Sequence, residues 1–163
     1  MKIAIGSDHG GFDMKEAVIA HLKEKGHEVD DLGCYSLQSC DYPQYGRAVA
    51  HAVADKKSCD YPPYGRAVAH AVADGKCDRG IVICTTGIGI SIVVNKVRGI
   101  RAALCSDTTA AYLTRAHNDA NVLAMGGGMI GMNVAIDIVD TFLETEFSGL
   151  EKHVRRVAAM EEE

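Results

Sequence analysis

The chain has 163 residues, 47% of them apolar and 24% charged, the mix of a globular domain able to bury a core without disulfide staples. Seventeen Lys and Arg against 22 Asp and Glu leave a net charge of −5. That balance argues against a general nucleic-acid binder, and the apolar runs fall far short of a membrane span.

The length favours one domain over residues 1–163. The chain opens Met-Lys-Ile-Ala-Ile-Gly-Ser, entering a strand pattern directly, so we expect a cytoplasmic protein without a signal peptide. Six cysteines (Cys34, Cys40, Cys59, Cys77, Cys84, Cys105) show neither C-x-x-C nor zinc-type spacing and read as reduced thiols, with no metal expected.

In chain order the pattern alternates strand and helix. Residues 2–6 form a β-branched run, and 12–25 are helical, with Met14, Val18, Ile19 and Leu22 on one face and Gly26 as a stop. Strands are expected over 27–32, 79–84, 100–104 and 121–125. Helices are expected over 88–97, 108–117, 132–147 and from 150 to near the end. Nearly all-apolar strands separated by helices predict a five-stranded parallel sheet covered on both faces, a single α/β domain of Rossmann-like kind. Ligands bind such sheets at the carboxyl ends of the strands. Here those loops are 7–11, 34–41, 85–89, 105–108 and 126–128.

One block interrupts the alternation. Residues 39–55 recur as 58–74 at an offset of 19, with Gln44 against Pro63 the only difference. No strand-like segment separates the copies 39–57 and 58–76, so one is expected to be the sheet-covering helix and the other an insertion. The second copy ends Asp74-Gly75-Lys76 and runs into the next strand, whereas the first ends Lys56-Lys57. A glycine suits a helix C-terminus, so we take the second copy as the native helix.

The main chemical signal is Cys84-Thr-Thr-Gly-Ile-Gly-Ile-Ser91, where a strand turns into a helix. Glycines let the backbone wrap closely, and a helix N-terminus offers N–H groups to an anion. The same field favours the thiolate of Cys84. The plain alternative is a tight turn over a buried thiol. No third glycine completes a dinucleotide fingerprint, and Ile90 stands where a cysteine phosphatase needs arginine. Asp8 and His9 end the first strand, suited to sharing a proton or binding hydroxyls, or to a helix cap with an exposed imidazole. His117 is either an acid/base or a cation complementing a helix C-terminus. His51 and His70 lie on stripes with Arg47, Arg66, Asp55 and Asp74 that read as solvated helix faces. The cluster Lys152-His-Val-Arg-Arg156 is either solvated charge or a phosphate clamp.

Taken together these segments resemble the ribose-5-phosphate isomerase B and galactose-6-phosphate isomerase family. The resemblance rests on Gly6-Ser-Asp-His-Gly-Gly11, the Asp-Tyr-Pro at 60–62 (and 41–43), Asp78-Arg-Gly-Ile-Val-Ile-Cys84 and Gly87-Ile-Gly-Ile-Ser91. It continues through Asn95-Lys-Val, Gly99-Ile-Arg-Ala, His117-Asn-Asp-Ala-Asn121 and His153-x-x-Arg156-Val. It implies a flavodoxin-like or Rossmann-like fold, a homodimer or dimer of dimers with sites at the subunit interface, and no metal or organic cofactor. The reaction implied is aldose–ketose isomerisation of a phosphorylated sugar through an enediolate. In that frame Cys84 is the base between C2 and C1, and Thr86 assists proton traffic between O1 and O2. The N–H groups of Thr85, Thr86, Gly87, Ile88 and Gly89 form the anion hole, with Ser91 alongside. His117 opens the sugar ring with Asp8 holding it. His9, Asn118, Lys152 and Arg156 bind hydroxyls or phosphate, and Tyr42 or Tyr61 joins them.

Three departures stand out. The family's Cys-Gly-Thr-Gly is here Cys84-Thr-Thr-Gly87, a phosphate-binding arginine after the fifth strand is Gly128, and another near the terminus is Lys152. Ribose 5-phosphate is the expected substrate, with a six-carbon sugar phosphate, or non-catalytic phosphosugar binding, as the alternatives.

Overall fold

The computed structural model describes residues 1–35 and 60–162. Five strands form one all-parallel sheet: β1 (Lys2–Ser7), β2 (Glu28–Asp31), β3 (Arg79–Cys84), β4 (Ala102–Leu104) and β5 (Val122–Gly126). Their order is β2-β1-β3-β5-β4. The layering is the expected doubly wound one, but β5 lies between β3 and β4 where a flavodoxin-like sheet runs 2-1-3-4-5.

Side chains alternate between the two faces, as a pleated strand requires. Ile3, Ile5, Ile81, Ile83, Leu123 and Met125 join one core, under α1 (Phe12–Glu24), α4 (Thr108–Asn118) and α5 (Met132–Glu144). Ala4, Val82, Cys84, Val122 and Ala124 join the other, under α2 (Tyr61–Ala73) and α3 (Ile88–Val94). A final helix, α6 (Glu151–Glu161), packs on α4. The thiol of Cys84 therefore faces the α2–α3 layer.

The helix formed by residues of the second repeat copy starts with an N-cap, the Asp60 carboxylate accepting from the Tyr61 N–H at 2.9 Å. It ends before Gly75, whose φ of 69° is left-handed, the conformation glycine allows at a helix end. Residues 39–57, including Tyr42, lie outside the described residues, as does most of the expected 34–41 loop.

Three boundaries differ from expectation by two or more residues, each for a polar reason. The helix expected over 88–97 stops at Val94. The Asn95 amide then donates to the Ala102 carbonyl at 2.9 Å and accepts from the Ala102 N–H at 2.8 Å, standing in for a neighbouring strand on the β4 edge. That strand starts at Ala102 rather than 100, because Asn121 takes the Arg101 N–H and carbonyl at 2.8 and 3.0 Å. The helix expected over 132–147 ends at Glu144, where Thr145 turns extended and its carbonyl accepts from Arg115 Nε at 3.2 Å.

Candidate active site

Three loops meet at the carboxyl end of β1, β3 and β5, where the strand order changes direction. The Asp8 N–H donates to the Ile83 carbonyl at 3.2 Å, and the N–H groups of Gly127 and Gly128 donate to the Cys84 and Thr85 carbonyls, both at 2.9 Å. Gly10 touches Thr85 so closely that any side chain there would overlap the threonine hydroxyl. Thr85, the departure from the family's glycine, is thus accommodated by the glycine opposite.

Cys84 is buried, 3% exposed, beneath this junction. Its sulfur accepts from the Gly87 N–H at 3.1 Å. Gly87 has φ 75°, and a methyl there would lie 2.7 Å from the Met125 carbonyl carbon and 2.9 Å from the Gly126 nitrogen, so only glycine fits the turn. The Ile88 N–H donates to Thr86 Oγ1 at 3.3 Å, and the Ser91 hydroxyl donates to the Ile88 carbonyl at 2.7 Å. Two of the five N–H groups expected to face an anion are thus engaged by side chains within the loop itself. Thr85, Thr86 and Ile88 form an exposed rim around it.

Asp8 is buried and uses its carboxylate as a cap, accepting from the Gly11 N–H at 3.1 Å. Burial raises its pKa above the ordinary carboxylate value, against the lowering effects of the Gly11 N–H and of His9. Tyr61 reaches the junction from the first turn of α2. A methyl on Gly89 would lie 2.7 Å from its ring, so the phenol lies directly over the loop. Asp8, His9, Tyr61 and the segment 84–91 therefore form one cluster.

The remaining expected residues form a second cluster elsewhere. Helix α4 starts after the carboxyl end of β4 and runs back, so His117 and Asn118 stand at the amino end of β5, beside Arg101. Four residue steps separate the two ends of β5, roughly 13 Å along the sheet. His117 meets α6, its ring centroid 4.3 Å from that of His153, and exposed Lys152 and Arg156 flank His153 on the same helix. A cavity of about 610 Å³ opens at this end, lined by Asn95, Lys96, Arg98, Arg101, Asn118 and Glu161 among others. A single chain does not bring the Cys84 and His117 clusters together.

Sequence reasoning missed the groups that build this second cluster. Asp119, with φ 47°, accepts from Arg115 Nη1 at 2.8 Å and Arg101 Nη2 at 3.0 Å. Arg115, 1% exposed, also donates to the Ala120 carbonyl at 2.6 Å. The sequence signals here are the unbroken His117-Asn-Asp-Ala-Asn121 string and Arg101 within Gly99-Ile-Arg-Ala, neither of which says that the two meet. Among the described residues, no group of three or more His, Cys, Asp or Glu side chains is placed to hold a metal ion, and no helix is long and apolar enough to cross a membrane.

Comparison with known proteins extends the picture. The family described as Ribose/Galactose Isomerase matches residues 3–59 and 54–160, two stretches that meet within the repeat. Ribose-5-phosphate isomerase B of Escherichia coli (strain K12) is 44% identical over 159 residues, covering 98% of this chain and 93% of that protein. The solved structure of Clostridium thermocellum ribose-5-phosphate isomerase B superposes with a TM-score of 0.85 at 46% identity, covering 99% of this chain and 95% of that one. That of the Thermotoga maritima ribose 5-phosphate isomerase gives 0.84 at 42% identity, covering 98% and 97%.

Proposed function

The chain belongs to the ribose/galactose isomerase family, and from that premise we infer that it interconverts ribose 5-phosphate and ribulose 5-phosphate through an enediolate. The observation that carries the reading is the junction around Cys84, a thiol with a backbone donor on its sulfur, set in a loop of backbone N–H groups.

In the proposed reaction the Cys84 thiolate removes the proton from C2 of the open-chain aldose. Negative charge develops on O1, where donors from the 85–89 loop stabilise it. The proton on O2 passes to O1 with help from Thr86, and the Cys84 thiol returns its proton to C1. The result is a C2 ketone and a C1 hydroxymethyl group, with no net gain or loss of protons. The Gly87 N–H steadies the thiolate before the first transfer and after the second. Asp8 and Tyr61 border the reacting end, and His9 binds a hydroxyl.

Ring opening needs a proton donor at the ring oxygen and an acceptor at O1, the role we give to His117. Lys152, Arg156 and Asn118 would hold the phosphate and hydroxyls, the phosphate supplying remote binding energy that orients C1 and C2. Because the two clusters lie at opposite ends of one sheet, we place the site between two copies of the chain, the His117 cluster of one facing the Cys84 cluster of the other. A two-fold axis would then make two equal sites. Of the substrates open to this family, the pentose phosphate is favoured by the relatives named above. A cytoplasmic homodimer is the corresponding setting.

The test is conversion of ribose 5-phosphate by the intact protein and by Cys84→Ser. We expect turnover in the first and a loss on the order of 10²–10⁴-fold in the second, the usual worth of a positioned base. Survival of activity in Cys84→Ser would remove the thiol from the mechanism, and no turnover by the intact protein would remove the substrate.

A further inference from the structure

Helix α6 is a charged surface helix with one exception. Lys152, Val154, Arg155 and Arg156 are exposed, whereas His153 is 4% exposed. Its ring packs against that of His117 on α4, the centroids 4.3 Å apart and the planes inclined by 41°. Ser148 Oγ lies 2.7 Å from His153 Nδ1. Ser148 is itself anchored to the last turn of α4, its N–H donating to the Ala116 carbonyl at 3.0 Å. Its hydroxyl oxygen also accepts from the Leu150 N–H at 3.4 Å, and the hydroxyl hydrogen is free to be donated to Nδ1. With Ser148 as that donor, His153 is a neutral ring carrying its proton on Nε2.

A second proton on this ring is disfavoured on balance. Burial removes the water that would solvate the cation. The groups facing it are His117 from α4, and Lys152 and Arg156 from its own helix, each opposing a further positive charge; a hydrogen bond with the Ala116 carbonyl acts the other way. The net effect holds the His153 pKa below the ordinary imidazole value.

His117 is exposed at the end of its helix, and a surface imidazole samples several rotamers. We propose that His153 is a positioning residue for His117: a buried neutral imidazole, tethered through Ser148, that sets the orientation in which the His117 ring is presented. The inference rests on the ring-opening role given to His117 above, since orientation matters only to a group that moves a proton along a defined line. Neutrality is part of the function, because a charged neighbour at this distance would oppose protonation of His117 itself.

The experiment compares His153→Ala, His153→Phe and Ser148→Ala with the parent by isomerase kinetics and by NMR of the histidine rings. In His153→Ala we expect kcat for ribose 5-phosphate to fall by about 10–100-fold while KM stays within about twofold, the pattern of a misaimed group rather than a lost binding contact. His153→Phe keeps a flat ring against His117 and should recover most of kcat. The His117 ring signals should shift in His153→Ala and return in His153→Phe. Should His153→Ala fail to fold, Ser148→Ala, which leaves the ring and removes its tether, should show a smaller kcat loss of the same kind. A rise in KM at constant kcat would overturn the proposal by making His153 a substrate ligand, and unchanged kcat with unmoved His117 signals would overturn it outright. If the parent protein does not isomerise ribose 5-phosphate, the ring signals still decide. Their response to His153→Ala would leave the failure with the substrate assignment, and their indifference would overturn the positioning role.

Discussion

The Gly87 N–H points at the Cys84 sulfur from 3.1 Å because Gly87 holds a φ of 75° that side-chain-bearing residues avoid. The donor and the strained turn are one feature. Gly87→Ala should therefore damage both stability and the site, through a left-handed cost of roughly 1–2 kcal/mol and overlap with the Met125 and Gly126 backbone. Gly99 makes the control, with φ 80° but nothing within 4 Å of an added methyl. We expect Gly99→Ala to lower the melting temperature alone, and Gly87→Ala to lower it further and cut kcat on the order of 100-fold. Equal behaviour of the two variants in melting and turnover would show that the turn does not shape the site.

Separation of the Cys84 and His117 clusters has a consequence for mixed oligomers. Cys84→Ser and His117→Asn should each be inactive alone. In the proposed dimer, subunit exchange would leave half of the dimers with one of each chain, and each such dimer would have one intact site. Recovery of about a quarter of the parent activity is expected from that two-fold geometry. No recovery after demonstrated exchange would place both clusters of each site in the same chain.

Asp8 gives a pH prediction whose sign follows from burial. Its carboxyl has a raised pKa in the fold, so the unfolded chain ionises first as pH rises above the ordinary value of 3.8. Folding stability is then lost with rising pH until the folded carboxyl has ionised too. Asp8→Asn removes this penalty while an amide oxygen can still cap Gly11. The variant should gain melting temperature relative to the parent at pH 7 and lose that advantage near pH 3.5, with isomerase activity lost throughout. An advantage independent of pH would refute the ionisation argument.

The tandem repeat predicts a tolerated deletion. Between Tyr35 and Asp60 the chain has 24 residues, and removing 39–57 leaves five. Closing a shorter connection costs less entropy, by about 1 kcal/mol, while α2 and its Asp60 cap are retained. The deletion variant should melt at the same temperature or a few degrees higher, with unchanged elution in gel filtration. A clear fall in melting temperature or a changed oligomer would mean that the first copy contributes to the native assembly.

Much of the fold was legible in the chain. The alternation of Ile3, Ile5 against Ala4, and of Ile81, Ile83 against Val82, Cys84, is the signature of strands covered on both faces, and all five strands lie within two residues of their expected positions. Helix ends were less legible. Asn95 and Thr145 end their helices through partners at Ala102 and Arg115, contacts that local periodicity does not encode. The same applies to the site. The residue types in Cys84-Thr-Thr-Gly87 and His117-Asn118 announce chemistry, but nothing along the chain says which strings meet.

By itself, then, the sequence determined the layered α/β architecture, the strand positions and the segments rich in chemistry, because hydrophobic period and glycine placement act over a few residues. Only the tertiary structure decided that Tyr61 lies over Gly89, that His153 is buried against His117, and that the two groups of candidate residues stand at opposite ends of the sheet. The physical reason is direction. Every strand here runs parallel, so a residue at the end of a strand and one at the end of the following helix are close in the chain and separated by the height of the sheet.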